Sequence, residues 1–220
     1  LSNATTADVT VGISTSGTGA EGTDYSTISD ITISAGSTTG TASFTPTDDS
    51  VYEGNETGIV AIASVSGGSA TEDGTQSVTI TITENESSPT ISLATSATSI
   101  AENAGTSLTL TATSSVVADE DITVTISTTG TGTEGTDYGT ISDITISAGD
   151  TTGTASFTPT DDSVYEGNET GVVAIDGVSG ADAAESGAQS VTITITENDS
   201  SPTITLATSA TSIAENAGSS

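Results

Sequence analysis

A cluster of four carboxylates within nine residues has the clearest potential for chemistry in this sequence. It belongs to the segment PTDDSVYEGNET at 159–170, and the same twelve residues stand at 46–57. Carboxylates crowded without a counter-charge repel one another or take up protons, unless a cation lies between them. Since Ca²⁺ takes about six to eight oxygen ligands, the segment predicts a calcium site; the alternative is a solvated acidic loop. The four residues in the second copy are Asp161, Asp162, Glu166 and Glu169.

The composition of the 220-residue chain excludes several classes of partner. It has 30 Asp and Glu, no Lys, Arg or His, and a formal charge of −30. Without a basic patch, nucleic acid and anionic membrane surfaces are excluded as partners. No apolar run is long enough for membrane insertion, and the lack of Cys permits an extracellular location. A charge this large opposes compaction, so we expect the fold to need counter-ions.

The elements that must position these acids repeat along the chain at an offset of 113 residues. Residues 89–201 form a complete unit, and residues 1–88 form the same unit without its first strand. Residues 202–220 repeat the start of the unit and correspond to the first strand of a further repeat. The linkers at 84–89 and 197–202 are short and end in Pro, which favours a stiff, rod-like arrangement of the units.

Apolar residues alternate with threonine along short segments, which is typical of β-strands with one buried face. The clearest example places Val191, Ile193 and Ile195 between threonines. Seven such strands in about 110 residues predict an all-β, seven-stranded, immunoglobulin-like sandwich, repeated in tandem. The predicted strands are Thr90–Ala94 continuing in Ser99–Glu102, then Ser107–Ala112, Asp121–Thr128, Ile141–Ser147, Gly153–Thr160, Gly171–Val178 and Gln189–Thr196.

Four motifs in a fixed order carry a resemblance to a known family. They are I-A-E-N-x-G, then G-T-D-Y, then the run D-D-x-x-x-E-x-x-E, and finally V-T-I-T-I-x-E-N-D. This order resembles the Calx-β domain, the Ca²⁺-binding sandwich of sodium–calcium exchangers and of many bacterial surface proteins. The resemblance covers the whole chain and implies that Ca²⁺ is held at one end of each sandwich.

The resemblance also implies a set of ligands from the first strand, the D-Y loop, the D-D loop and the end of the last strand. In the complete copy these are Glu102, Asp137, Asp161, Asp162, Glu166, Glu169 and Asp199, with Glu197 as a further candidate. In the first copy they are Asp24, Asp48, Asp49, Glu53, Glu56 and Glu86, with Glu84 as a further candidate. Glu215 is the counterpart of Glu102 for a third domain.

The four tyrosines beside these acids have two interpretations. Since Tyr is usually part-buried, we expect packing in the core or at its rim more than metal ligation. The residues are Tyr25, Tyr52, Tyr138 and Tyr165.

An enzyme is not expected, because the chain has no His, Cys or Lys for acid–base or nucleophilic work. The leading hypothesis is a calcium-stabilised structural repeat of an extracellular bacterial filament, fibre or adhesin stalk at the cell surface. One alternative is a regulatory Ca²⁺-sensing module, as in the exchangers. Another is an adhesin module that binds a cell-surface ligand or glycan.

The expected partners are copies of the same unit, joined head to tail. The favoured interpretation is a window from a continuous covalent array. The alternative is a filament in which one subunit donates residues 203–220 into the next, as in donor-strand fibres.

Overall fold

The structure, a computed structural model, describes residues 1–215 and 218, which form β-strands, turns and irregular chain. Among these residues there is no helix that could span a membrane. The first unit contains β1 (Val9–Gly17), β2 (Ile31–Ile33), β3 (Val51–Tyr52), β4 (Glu56–Ser66) and β5 (Ser77–Ile82). The second unit contains β6 (Thr90–Thr95), β7 (Ser99–Ala101), β8 (Leu108–Ser114), β9 (Val117–Ala118), β10 (Ile122–Gly130), β11 (Ile144–Ile146), β12 (Thr152–Phe157), β13 (Glu169–Ser179), β14 (Ala184–Glu185) and β15 (Ser190–Thr196).

The second unit is a sandwich of two sheets. One sheet has the order β11-β10-β13-β15-β7, and the other has the order β12-β8-β6-β14. The core between them is fully buried, with Ile91 and Leu110 from the smaller sheet and Val124, Val173 and Ile193 from the larger. The predicted all-β tandem sandwich is confirmed.

The apolar alternation explains which strand faces turn inward. Along β15, Ile193 and Ile195 are buried while the threonines between and beside them are more exposed. Next to this face, Tyr138 stacks on Phe157 with ring centroids 4.7 Å apart. Gly171 allows that packing, because a Cβ there would lie 2.7 Å from the Phe157 ring.

The D-Y loop shortens one predicted strand and ends another. Of the strand predicted at Ile141–Ser147, only Ile144–Ile146 is extended and paired, because the Ile141 N–H donates instead to the Glu134 carboxylate at 2.8 Å. The strand predicted to reach Thr160 ends at Phe157, and Pro159 forms an isolated bridge with Tyr138.

Four of the five strands of the first unit form one sheet, with the order β2-β1-β4-β5. Tyr25 stacks on Phe44 at 4.5 Å, as Tyr138 does on Phe157, so core packing is confirmed for both of these tyrosines. Residues 39–44 correspond to β12 but form no strand. Within residues 1–88 no strand pairs with this segment, and only Leu1 corresponds to a residue of β8.

The two units meet through the acidic segment of the first. Its strand β3 pairs in parallel with β9, aligning Val51 with Val117 and Tyr52 with Ala118. Tyr52 is 7% exposed and belongs to the buried core cluster of the second unit. Its hydroxyl donates to Asp182 Oδ2 at 3.0 Å.

Residues 202–215 form no strand, although their sequence repeats that of β6 and β7. Ile204 and Leu206 are fully exposed, since no strand among the described residues lies beside them. Residues 216, 217, 219 and 220 of the predicted third repeat lie outside the described residues.

Candidate metal centre

Strand register brings Glu102, the first predicted ligand of the second unit, to the acidic end of the sandwich. β7 lies parallel to β15 with Ala101 opposite Thr196, so Glu102 and Glu197 follow at the same level. The Glu102 N–H donates to the Thr196 carbonyl at 3.0 Å. The Glu102 side chain is buried, and its Oε1 accepts a hydrogen bond from the Asp162 N–H at 3.3 Å.

The D-Y loop supplies Asp137 through a tight turn. Its Oδ2 accepts from the Thr133 N–H at 2.6 Å, and the Asp137 N–H donates to the Thr133 carbonyl at 2.9 Å. Gly135 takes φ +85°, a conformation that glycine adopts without strain. The Asp137 carbonyl accepts from the Thr160 N–H at 2.9 Å, which ties this loop to the D-D loop.

Glu197 holds the D-D loop against the end of β15. Its Oε2 accepts from the N–H groups of Glu166 and Gly167 at 2.7 and 2.8 Å, and its Oε1 accepts from the Asp199 N–H at 2.7 Å. These backbone donors, led by Asp199, lower the pKa of Glu197 to about 2. The carboxylate is therefore charged at any ordinary pH, and it positions the loop that carries the other acids.

Seven of the eight acids predicted for the second unit converge in overlapping groups of three. Within each group, ligand oxygens lie within 4.8 Å of one another. Because Glu102 and Glu166 each belong to two groups, the cluster is continuous and offers positions for more than one ion. The groups are Glu102, Asp162 and Glu166; Glu102, Glu197 and Asp199; and Asp137, Glu166 and Glu169.

The carboxylates of this cluster repel one another, and a cation between them would relieve the repulsion. Desolvation, reinforced by neighbouring carboxylates, raises the pKa of Glu102, Glu166 and Glu169 above the ordinary value. Asp199 Oδ2 is buried without a hydrogen-bond partner among the described residues. A hard divalent ion would satisfy that oxygen and offset the repulsion, so the donor set fits Ca²⁺.

The first unit gathers a smaller group, formed by Asp24, Glu53 and Glu56. Desolvation and then the neighbouring acids, beginning with Asp24, raise the pKa of Glu53 to about 7. Glu84 repeats the role of Glu197: its Oε2 accepts from the Glu53 and Gly54 N–H groups at 2.6 and 2.8 Å. Although desolvation opposes the shift, such backbone bonds lower the pKa of Glu84 to about 2.

The remaining predicted ligands lie outside these groups of three. Asp48 and Asp161 accept side-chain hydrogen bonds from Asn85 at 3.0 Å and Asn198 at 3.4 Å. Asp49 Oδ1 accepts from the Val51 N–H at 2.8 Å. Two further acids lie outside the groups, the half-buried Glu86 beside Glu84 and the exposed Glu215. Their roles as ligands stay predictions.

Sequence reasoning missed one acid beside the first cluster. Asp119, from the second unit, contributes to the raised pKa of Glu53 and Glu56, after desolvation and Asp24. The sequence marks Asp119 only as a difference between the two copies, since Thr6 occupies the matching position of the first unit. The contact could not be foreseen, because it depends on how the second unit sits against the first.

Each unit is thus an all-β domain that gathers acids at one end, and the acids of the first unit lie beside its junction with the second. The Calx-beta domain family model matches residues 2–86 and 84–199, so the chain belongs to the Calx-beta family. No curated protein matches the chain.

Three solved structures show a limited overall similarity to the chain. The apo-form Calx CBD1 domain has 19% identity and a TM-score of 0.42, covering 51% of this chain and 99% of its own. CBD12 from CALX1.2 has 16% identity and a TM-score of 0.40, covering 88% and 89%. The calcium binding domain CBD12 of CALX1.1 has 14% identity and a TM-score of 0.32, covering 79% and 69%.

Proposed function

We propose that both units bind Ca²⁺ at their acidic ends and that the bound ions stabilise the fold and the junction. The observation that carries this proposal is the continuous carboxylate cluster in the second unit, in which Glu102 and Glu166 each belong to two groups of potential ligands. The sequence contains no cationic side chain that could neutralise them. A charge of −30 makes the metal the main source of positive charge for the folded state.

The chemistry of the donors supports Ca²⁺ over other common metals. All predicted ligands are carboxylates, and the chain has no His or Cys, the side chains that Zn²⁺ sites ordinarily use. Mg²⁺ requires near-ideal octahedral geometry, whereas Ca²⁺ accepts irregular sets of oxygens in mono- or bidentate contact. Carboxylates drawn from four different segments suit the more tolerant ion.

Ion binding in the first unit would also act on the junction. Glu53 follows Tyr52 in the chain, and Tyr52 packs into the core of the second unit. Asp119 of the second unit lies close enough to raise the pKa of Glu53, after desolvation and the acids of the first unit. An ion at Asp24, Glu53 and Glu56 would relieve this repulsion and hold the two units together.

Calorimetric melting in Ca²⁺, in Mg²⁺ and after removal of metal with EDTA tests the proposal. A ligand at about 100 times its dissociation constant stabilises the folded state by about 2.7 kcal/mol per site. We expect the melting temperature to rise with Ca²⁺ concentration and to respond much less to Mg²⁺. Equal melting temperatures in Ca²⁺ and in EDTA would refute calcium binding.

Two biological roles are compatible with such a module. Membership of the Calx-beta family supports a regulatory Ca²⁺-sensing role, which the exchangers of this family illustrate. The near identity of the two copies supports instead a structural segment of an extracellular filament, fibre or stalk. The absence of His, Cys and Lys supports a non-catalytic role in either case.

Small-angle scattering during a Ca²⁺ titration separates these roles. A sensor should change shape over micromolar Ca²⁺, while a structural segment should stiffen only near the weaker affinities of extracellular modules, about 10⁻⁴ to 10⁻³ M. A shape change completed at micromolar Ca²⁺ would exclude the structural role. Constant dimensions up to millimolar Ca²⁺ would exclude sensing.

A further inference from the structure

The junction between the units joins a segment that both copies share to a surface that differs between them. Val51 and Tyr52, here named the Val-Tyr pair, belong to the segment PTDDSVYEGNET, which is identical in both copies. They dock on the second unit at residues 116–120 and 180–182, which we name the receiving face. Residues 116–120 have the sequence VVADE, whereas the matching residues 3–7 have NATTA, with no position in common. The docking segment is therefore constant, and the surface that receives it is not.

The backbone of the receiving face holds the Val-Tyr pair through contacts that need no particular side chain. Val51 pairs with Val117, and Tyr52 pairs with Ala118. The Asp119 N–H donates to the Tyr52 carbonyl at 3.2 Å. Main-chain hydrogen bonds of this kind give affinity to an added strand, while side-chain pockets give specificity. We therefore looked for specificity in the side chains that surround Tyr52.

The Tyr52 side chain is buried among residues of the second unit and has a specific partner for its hydroxyl. It belongs to the same buried cluster as Ala118 and Ala181. Its hydroxyl donates to Asp182 Oδ2 at 3.0 Å and accepts from Ser88 Oγ at 3.3 Å. A hydrogen bond to a charged group stabilises more than a neutral one does, and losing one partner leaves the other unsatisfied. Asp182 can therefore distinguish Tyr from Phe.

The loop of the receiving face holds two residues in the left-handed region, where most side chains are strained. Ala181 has φ +50° and Asp182 has φ +48°. The matching loop of the first unit has the same conformation at Gly68 and Ser69, with φ +56° and +57°. Glycine takes this conformation without a steric cost, whereas alanine does not. Since Gly would fit the backbone at position 181 with less strain, the Ala-Asp pair points to a role beyond the folding of the loop.

A third difference between the copies supports the same loop. Glu120 follows the residues that pair with the Val-Tyr pair, and its Oε2 accepts from the Ala181 N–H at 3.4 Å. Ala7 stands at the matching position of the first unit and has no side-chain acceptor. The differences at positions 120, 181 and 182 therefore concern residues that contact one another or Tyr52.

We propose that the receiving face selects the unit that docks on it, and that its favoured partner is a Calx-beta unit with Tyr at the second position of the Val-Tyr pair. Asp182 binds the tyrosine hydroxyl, and Ala181 adds its side chain to the buried cluster that contains the ring. A Phe at position 52 would leave Asp182 without its donor, and a receiving loop with Gly-Ser would supply neither group. Because Tyr52 and Asp182 belong to none of the carboxylate groups, this selection does not depend on Ca²⁺ binding.

Hydrogen exchange at the Asp119 amide tests this inference in the full chain, because its N–H donates to the Tyr52 carbonyl across the junction. Opening of the junction exposes this amide to exchange without unfolding either unit. Tyr52→Phe, Asp182→Ser and the double variant are compared with the unaltered chain at one Ca²⁺ concentration. Asp182→Ser retains the conformation of the loop, since Ser69 has nearly the same φ in the first unit.

We expect each single variant to speed exchange at Asp119 about tenfold, because each removes the hydrogen bond to the Asp182 carboxylate. The double variant should exchange no faster than the single variants, since both changes remove the same bond. Adding Ala181→Gly to Asp182→Ser should speed exchange further, because the buried cluster then loses a methyl group.

Asp150→Ser is the matched control for Asp182→Ser. It also removes one negative charge, from an exposed Asp whose counterpart in the first unit is Ser37. The Asp119 amide should exchange in this variant as it does in the unaltered chain.

Three results would overturn the inference or part of it. If Tyr52→Phe or Asp182→Ser exchanged as slowly as Asp150→Ser, the hydroxyl bond would contribute nothing to docking. If the two effects multiplied in the double variant, Asp182 would act on the junction by a route other than Tyr52. If Ala181→Gly added nothing to Asp182→Ser, Ala181 would have no part in the selection.

Discussion

The two copies of PTDDSVYEGNET have the same sequence but different surroundings, which separates two uses of the segment. Tyr52, in the first copy, is 7% exposed and packs into the second unit, whereas Tyr165 is 46% exposed. Val51 pairs with β9 as a strand, whereas Val164 is 58% exposed. The difference assigns the Val-Tyr pair to the junction with the following unit, whereas the acids on either side of the pair are the proposed metal ligands.

The two carboxylate clusters also differ, and here the second unit has the larger set of acids. The second unit gathers three overlapping groups of carboxylates, and two of them contain Glu102. Residues 1–88 contain no counterpart of Glu102, and they gather a single group. Within residues 1–215, loops with identical acids therefore gather different numbers of carboxylate groups, and two of the groups in the second unit depend on Glu102.

Replacing the buried tyrosine should have the largest effect. Tyr52→Ala removes an aromatic side chain from the core of the second unit together with its hydrogen bond to Asp182. We expect a loss of about 3 kcal/mol in the free energy of unfolding, as for other buried aromatic residues. Tyr165→Ala, at the same position of the second copy, should change it by less than about 0.5 kcal/mol. Urea unfolding followed by circular dichroism measures both, and similar losses in the two variants would refute the distinction.

Removing the charge of Glu102 should have the next largest effect. Glu102→Gln keeps the size of the side chain but takes one carboxylate from two of the three groups in the second unit. We expect Ca²⁺ affinity there to fall about 10–100-fold, or about 1.4–2.7 kcal/mol, while the first unit keeps its affinity.

Asp176→Asn is the matched control for this variant, because Asp176 is exposed on β13 and belongs to none of the carboxylate groups. Titration calorimetry should show unchanged Ca²⁺ binding for the control. If Glu102→Gln bound Ca²⁺ as the control does, the site would not depend on the strand that carries Glu102.

The pH dependence of the metal-free protein should be the smallest effect. Desolvation and neighbouring acids raise the pKa of Glu53 from 4.5 to about 7, and they raise those of Glu102 and Glu169. Between pH 4.5 and about 7, the two pKa values of Glu53, the folded state binds more protons than the unfolded state. The free energy of unfolding therefore falls as pH rises. In EDTA we therefore expect a lower melting temperature at pH 7.5 than at pH 5, and the gain from Ca²⁺ should be larger at pH 7.5. A metal-free protein that is more stable at pH 7.5 would contradict this.

Much of the fold could be predicted because short segments of the sequence determine it. Alternation such as Val191, Ile193 and Ile195 fixes both the strand and its buried face. Four motifs in order were enough to identify the family and to bring Glu102, Asp137 and Glu166 to one end of the sandwich as candidates. These signals depend on neighbours in sequence or on a pattern shared with other proteins.

Other features depend on contacts between distant segments, and the sequence did not predict them. Tyr52 and Tyr165 have identical neighbours, so only the placement of the second unit explains why one is buried. The sequence predicts Glu197 as a ligand. Its carboxylate also accepts three backbone hydrogen bonds, and two of them hold the loop of Glu166. Strand formation at residues 203–208 requires partner strands, which no local pattern reveals.

The most direct test of the difference between the two metal centres is a Ca²⁺ titration followed by nuclear magnetic resonance at individual backbone amides. The Gly167 N–H bonds Glu197 and the Gly54 N–H bonds Glu84, so each amide reports on one centre. Since the second unit has the larger carboxylate cluster, the Gly167 signal should saturate at lower Ca²⁺ than the Gly54 signal, and Glu102→Gln should abolish that order. Saturation of Gly54 before Gly167, or no response of either amide to Ca²⁺, would contradict the account.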